Sequence, residues 1–156
     1  MTAGLPVGTS LQEQYFPDLP CFGCGPRNEK GLRLRSHIAA DGLVRAEFTP
    51  WPEHDNGLGF LNGGIIATVL DCHSAAAVTH EAFSQGWPPL PGAALPFVTA
   101  GLDVRYLRPA PLTATVSLVA EVRESSEAAI TADVRLEWDG KERAAASAVW
   151  KRWRPR

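Results

Sequence analysis

The sequence is short of the features that mark several whole classes of protein. None of its apolar runs approaches the roughly 20 residues a membrane-spanning helix needs, and residues 1–8, M-T-A-G-L-P-V-G, contain no basic stretch leading into an apolar one. Neither a membrane span nor a secretory leader is therefore expected. Basic charge is not in excess: 15 Lys and Arg stand against 17 Asp and Glu, a formal net charge of -2 at pH 7. That balance leaves no electrostatic footprint for nucleic acid and no reason to expect an anionic membrane surface as partner. The cysteines number 3, an odd count that suits a reducing compartment better than a disulfide framework. A cytoplasmic protein is the expectation.

What the chain does have is concentrated in residues 54–79, H-D-N-G-L-G-F-L-N-G-G-I-I-A-T-V-L-D-C-H-S-A-A-A-V-T. The first half is loop material, with Asn56-Gly57, Gly59 and Gly63-Gly64; the second is apolar and rich in small residues, which predicts one long buried helix. Asp71 resists that burial. A lone carboxylate inside an apolar helix is costly unless it is paired, hydrogen-bonded or used. At about 100° per residue it shares a face with Gly64, Ala67, Thr68, Ser74 and Ala75, the smallest side chains of the helix. The helix start offers a second feature, because free N–H groups of Gly63, Gly64 and Ile65 at the positive end of the macrodipole could hold an oxyanion.

The 156 residues suffice for one domain with a sizeable core and no staple. Residues 1–31 are expected to form an irregular lead-in packed on the body, with a short helical turn near Leu11 to Tyr15, and residues 32–156 to form the domain itself. Within the lead-in, Cys21-x-x-Cys24 invites a metal or redox reading. Tetrahedral zinc needs four ligands, and no second C-x-x-C or suitably spaced His pair is present. A redox dithiol would open a helix, whereas Gly25-Pro26 and Gly31 predict turns. Two small thiols packed in a Gly-rich turn are expected, Cys72 is expected to be buried and inert on the apolar flank of the helix, and neither a metal nor a cofactor is expected.

Leu32 to Ile38 and Leu43 to Thr49 alternate apolar with polar residues about Asp41-Gly42 and predict a hairpin. After the helix, Trp87-Pro-Pro-Leu-Pro-Gly92 reads as a connector folded over the body. Period-two alternation then runs through Val98 to Tyr106, Val116 to Val122, Ile130 to Trp138 and Ala144 to Trp153. Short turns between these four strands predict an antiparallel meander. Two strands, a buried helix and four strands make an α+β domain with a curved antiparallel sheet around a central helix.

That order of elements, with C-F-G-C-G-P-R-N-E-K-G-L at 21–32, N-G-L-G-F-L-N-G-G-I-I-A-T-V-L-D at 56–71 and F-V-T-A-G-L-D-V-R-Y-L-R-P-A at 97–110, resembles the hotdog-fold acyl-CoA thioesterases, in particular the phenylacetate-pathway branch. The resemblance covers roughly residues 20–153. It implies a site at a homodimer or homotetramer interface, acting on a small-molecule acyl-CoA. There Gly63 polarises the thioester carbonyl, and Asp71, largely from the other subunit, attacks it or activates water. Asn56, Asn62 and Thr99 occupy the remaining positions of the pattern, and Asn62 stands where the family usually has His.

Each of these residues also has a plainer reading. Asp71 could be a structural carboxylate bonded to Thr68 or a neighbouring strand, Gly63 and Gly64 could serve close packing, Asn62 could only cap the helix, and Asn56 could be a turn residue. Ser74 is placed to hold the Asp71 carboxylate. Thr99 shares strand parity with Asp103 and Arg105, away from the apolar face. Two other outcomes stay open beside hydrolysis: acyl-CoA binding without turnover, and a hydratase or dehydratase of the same fold, which would need a proton-shuttling His beside the carboxylate.

Overall fold

The computed structural model of the chain describes residues 8–156, so residues 1–7 of the opening stretch read above lie outside the described residues. In order, the elements are helix α1 (Leu11–Tyr15), strands β1 (Ser36–Ile38) and β2 (Val44–Phe48), a 3-10 turn (Pro52–His54), helix α2 (Gly63–Ser84), and strands β3 (Phe97–Tyr106), β4 (Val116–Ser125), β5 (Ala129–Trp138) and β6 (Lys141–Arg152). The strands form one antiparallel sheet in the order β1-β2-β4-β5-β6-β3.

Helix α2 lies across the inner face of this sheet. Val69, Leu70, Ala76, Val78 and Ala82 are fully buried, which is why apolar residues surround the helix instead of forming a stripe. Its ends are set by local chemistry. Asn62, in extended conformation, accepts from the N–H groups of Gly64 (2.8 Å) and Ile65 (3.2 Å). At the other end Gly86 adopts φ 81°. There Trp87 N–H donates to Ala82 O and Gly86 N–H to Phe83 O, the paired bonds that close a helix on a left-handed residue.

Opposite α2, Leu118 and Ala120 of β4, Ile130, Ala132, Val134 and Leu136 of β5, and Ala144, Ala146, Ala148 and Trp150 of β6 all point inward. A buried polar chain ties the other elements to this core. Gln12 Nε2 donates to Ser36 Oγ (2.9 Å), Ser36 Oγ meets His73 Nδ1 (2.8 Å), and His73 Nε2 meets Val44 O (2.9 Å). Since a carbonyl can only accept, Nε2 carries the proton and Nδ1 accepts the Ser36 hydroxyl. Burial pushes the His73 pKa down to about 4, against a smaller opposing effect of the Val44 carbonyl.

Two expectations need correction. The hairpin is shorter than its alternation suggests. Arg33 adopts φ 57°, and the N–H groups of Leu32 and Leu34 bond to Phe22 O (2.7 Å) and Gly23 O (3.0 Å), so residues 32–35 are held by the cysteine turn and not by a strand. The last four strands are also not one meander: β4, β5 and β6 are, but β3 pairs with β6 and forms the sheet edge. The segment around Pro109-Ala110-Pro111 is a crossing, anchored by Leu61 N–H to Ala110 O (3.0 Å) and a bridge from Phe60 to Pro111.

Candidate active site

The Asp71 carboxylate is half-buried on α2, and the hydroxyl of Thr99 donates to its Oδ1 at 2.8 Å. Alternation alone would send the Thr99 side chain outward. A bulge between Thr99 and Gly101 reverses the parity of β3 at this point: Phe97 and Thr99 face inward before it, and Leu102 and Val104 after it, while Val98 is 41% exposed. One extra residue thus aims a hydroxyl at the helix.

The two residues lie in a cleft of about 390 Å³ whose other lining includes Phe16, Leu19, Cys21, Leu95, Val98 and Trp150. Asp71 is the only carboxylate among its lining residues. Burial raises the Asp71 pKa, the Thr99 hydroxyl draws it back, and the nearby Cys21 sulfur adds a smaller upward push. Ser74 does not touch the carboxylate, contrary to the reading from the sequence. Its hydroxyl donates to the Asp71 backbone carbonyl (2.7 Å) and accepts from Trp150 Nε1 (3.0 Å), so it fixes a cleft wall. Thr68 donates to Gly64 O (2.9 Å), which leaves the strand residue as the carboxylate's partner.

At the helix start, the carboxamide oxygen of Asn62 takes up the N–H groups of Gly64 and Ile65, so of the three outward N–H groups expected there only that of Gly63 meets no acceptor among the described residues. Tyr106, which sequence reasoning did not single out, donates from Oη to Gly63 O (2.7 Å) and lays its ring beside the glycine. Asn56 sits on the exposed loop, its Oδ1 accepting from Leu58 N–H (2.8 Å) and Phe60 N–H (3.2 Å). Gly63 and Asp71 are eight residues apart, or about 12 Å along one helix axis.

The histidines are engaged elsewhere: His54 stacks on Trp51, His73 belongs to the polar chain and His80 meets Tyr15. Arg152 donates to Trp87 O, Pro88 O and Pro96 O and straps the proline-rich connector to β6. Beside Asp71 the structure assembles a group that the sequence spacing had hidden. The sulfurs of Cys21, Cys24 and Cys72 lie within 4.8 Å of one another. Donation from the Cys24 thiol, then from Cys72, holds the Cys21 thiol far below the ordinary range, and the same contacts push Cys24 and Cys72 up.

One antiparallel sheet curved about a single buried helix, with a capped glycine at the helix start and a carboxylate two turns on, is the hotdog fold. Residues 58–146 match the model of the thioesterase superfamily, and the chain belongs to that superfamily. A thioesterase superfamily protein from Shewanella loihica PV-4 is 30% identical, with TM-score 0.59 over 78% of this chain and 91% of that one. A phenylacetic acid degradation-related protein from Ralstonia eutropha JMP134 is 20% identical, with TM-score 0.68 over 91% and 98%. A Bacillus halodurans protein solved with CoA is 22% identical, with TM-score 0.62 over 80% and 77%. No curated protein matches the chain. Among the described residues, no helix is long and apolar enough to cross a membrane.

Proposed function

We propose that the protein hydrolyses a thioester of coenzyme A to the free acid and CoA, in a site completed by a second copy of the chain. One observation carries this reading: a carboxylate held by a strand hydroxyl lies in a cleft lined mostly by apolar side chains. Superfamily membership and the CoA-bound relative supply the substrate class. The separation of about 12 Å between Gly63 and Asp71 along one helix means that the two must serve one carbonyl from different protomers. Strand β3 offers the means, as a 10-residue edge strand carrying exposed Val98 and Tyr106. An open edge of that length invites pairing with another chain. A homodimer follows, or a homotetramer of such dimers, working in the cytoplasm, each chain with residues 1–31 as a lead-in on a body of residues 32–156.

The acyl group occupies the cleft beside Asp71, with its carbonyl oxygen toward the Gly63 N–H of the other protomer. Acting as a base, Asp71 takes a proton from water while the water oxygen adds to the carbonyl carbon. The Gly63 amide, backed by the helix dipole, stabilises the oxyanion. As the C–S bond breaks, the sulfur of CoA leaves and takes up the proton. Acting as nucleophile, Asp71 would instead form a mixed anhydride that water then cleaves. Single turnover in heavy-oxygen water identifies the second route where water attacks the Asp71 carbonyl of the anhydride, because only that attack leaves label in Asp71.

Asn62 cannot carry a proton, but its NH₂ can donate to the thioester while its oxygen caps the helix. Its presence also motivates a second reading, acyl-CoA binding without turnover. Among the described residues the hydratase alternative lacks the histidine it needs, since His37, His54, His73 and His80 all have other partners. Free-thiol release across short, medium, long and aromatic acyl-CoA substrates tests the proposal. Asp71→Ala should lower kcat by about 10²- to 10⁴-fold with the fold retained, and unchanged turnover would remove Asp71 from the mechanism. Thermal stabilisation by acyl-CoA with no thiol released from any substrate would favour the second reading.

A further inference from the structure

Cys21 and Cys24 belong to the turn after α1, and Cys72 projects from α2 one residue beyond Asp71. All three are free thiols, and Cys21 Sγ stands 3.8 Å from Cys72 Sγ. That is too far for a disulfide, whose sulfurs are about 2.05 Å apart. It equals the edge expected of a sulfur tetrahedron, since a metal–sulfur bond of about 2.3 Å separates tetrahedral ligands by about 3.8 Å. The turn is shaped around these sulfurs. Gly25 N–H closes the turn on Cys21 O (2.8 Å). Gly23 permits the close approach: a Cβ there would lie 2.3 Å from Cys72 Sγ. Arg35 donates to Cys24 O (3.2 Å), bringing a positive charge beside the cluster.

We propose that Cys21, Cys24 and Cys72 form a three-thiolate site for one soft closed-shell cation, zinc above all, with its fourth position open to the cleft that holds Asp71. All three cysteines line that cleft, so water or an exogenous thiol completes the coordination, in the open form that three protein ligands leave. The Asp71 carboxylate lies outside the sulfur cluster and is not a ligand. Binding forms three sulfur–metal bonds as the remaining S–H protons pass to solvent, and nothing is oxidised or reduced. Convergence of a turn and a helix on one ion would clamp the lead-in to α2 beside the cleft. The argument for this site does not use the thioester reading, although both sites open to the same cleft.

Cobalt(II) serves as the probe. The full-length protein, stripped with chelator and kept reduced, should bind one cobalt ion per chain. An intense tetrahedral visible band and a thiolate-to-cobalt charge-transfer band should appear, both abolished by zinc. Cys72→Ala should weaken cobalt binding by at least about 100-fold, since even outer-sphere changes cost about 10- to 100-fold at such sites. Absence of the charge-transfer band, or a band of full strength in Cys72→Ala, overturns the site. Should the variant not fold, the wild-type protein decides by thiol counting. The half-buried Cys21 thiol is expected to react after chelation and to be protected with zinc, and equal reactivity in both states overturns the proposal.

Discussion

The half-buried Asp71 carboxylate keeps a single hydroxyl partner, Thr99, and burial raises its pKa in the folded protein. A carboxyl group raised in this way favours folding only while protonated, so its contribution is lost as pH climbs past the ordinary carboxylate range, and at neutral pH the ionised form is a net burden. Asp71→Asn removes the charge and keeps an oxygen to accept from Thr99. This variant is expected to melt at a higher temperature than the wild type at neutral pH while turnover falls, a divergence readable by calorimetry beside the thiol-release assay. A lower melting temperature would mark the carboxylate as structural. Asp71 was legible in the sequence because a single charge interrupts an apolar helix. Thr99 was legible only through resemblance, since the bulge that turns it inward leaves no mark in the alternation. Ser74 misled, because its spacing from Asp71 suits the backbone carbonyl better than the carboxylate. The cysteine cluster stayed hidden because nothing in the sequence links a turn at Cys21 and Cys24 to a helix residue 48 positions later.

At the scale of elements, the ends of α2 were readable from Asn62 and the glycine after Ser84, and the strands from their period. Pairing order was not, because the crossing at 107–115 and a tight turn use the same residue types. Two predictions belong here. A Cβ at position 25 would meet backbone atoms of Cys21 and Leu19 at 2.3 Å. Gly25→Ala should therefore lower stability by about 1–3 kcal/mol, seen as a reduced urea midpoint at constant slope. An unchanged midpoint would show that the cysteine turn is slack. The second concerns His73, which joins α1, β1 and β2 to α2. Its pKa falls from 6.5 to about 4 on burial. The unfolded chain therefore takes up a proton at this residue first as pH drops. Stability should decline through the interval between those two values, by roughly 3 kcal/mol in all. Urea titrations across that interval measure the decline. His73→Gln, which cannot be protonated, should flatten it.

At the scale of the whole molecule, the single chain holds half of each proposed site at either end of one stretch of helix. This follows from helix geometry once Gly63 and Asp71 are placed on α2, but the sequence alone does not say which surface pairs; the pairing proposed above rests on β3 lying at a sheet edge. Mixing two inactive variants tests the arrangement most directly. Gly63→Pro removes the N–H at a helix position where proline is tolerated, and Asn62 before it is already extended. Loss of that donor should lower kcat by about 10²- to 10³-fold, and Asp71→Ala is inactive for its own reason. Unfolded together and refolded, the two should recover about a quarter of wild-type turnover, because about half of the dimers are mixed and each mixed dimer keeps one intact site. Mixed dimers that form without any recovery would contradict a site shared between chains.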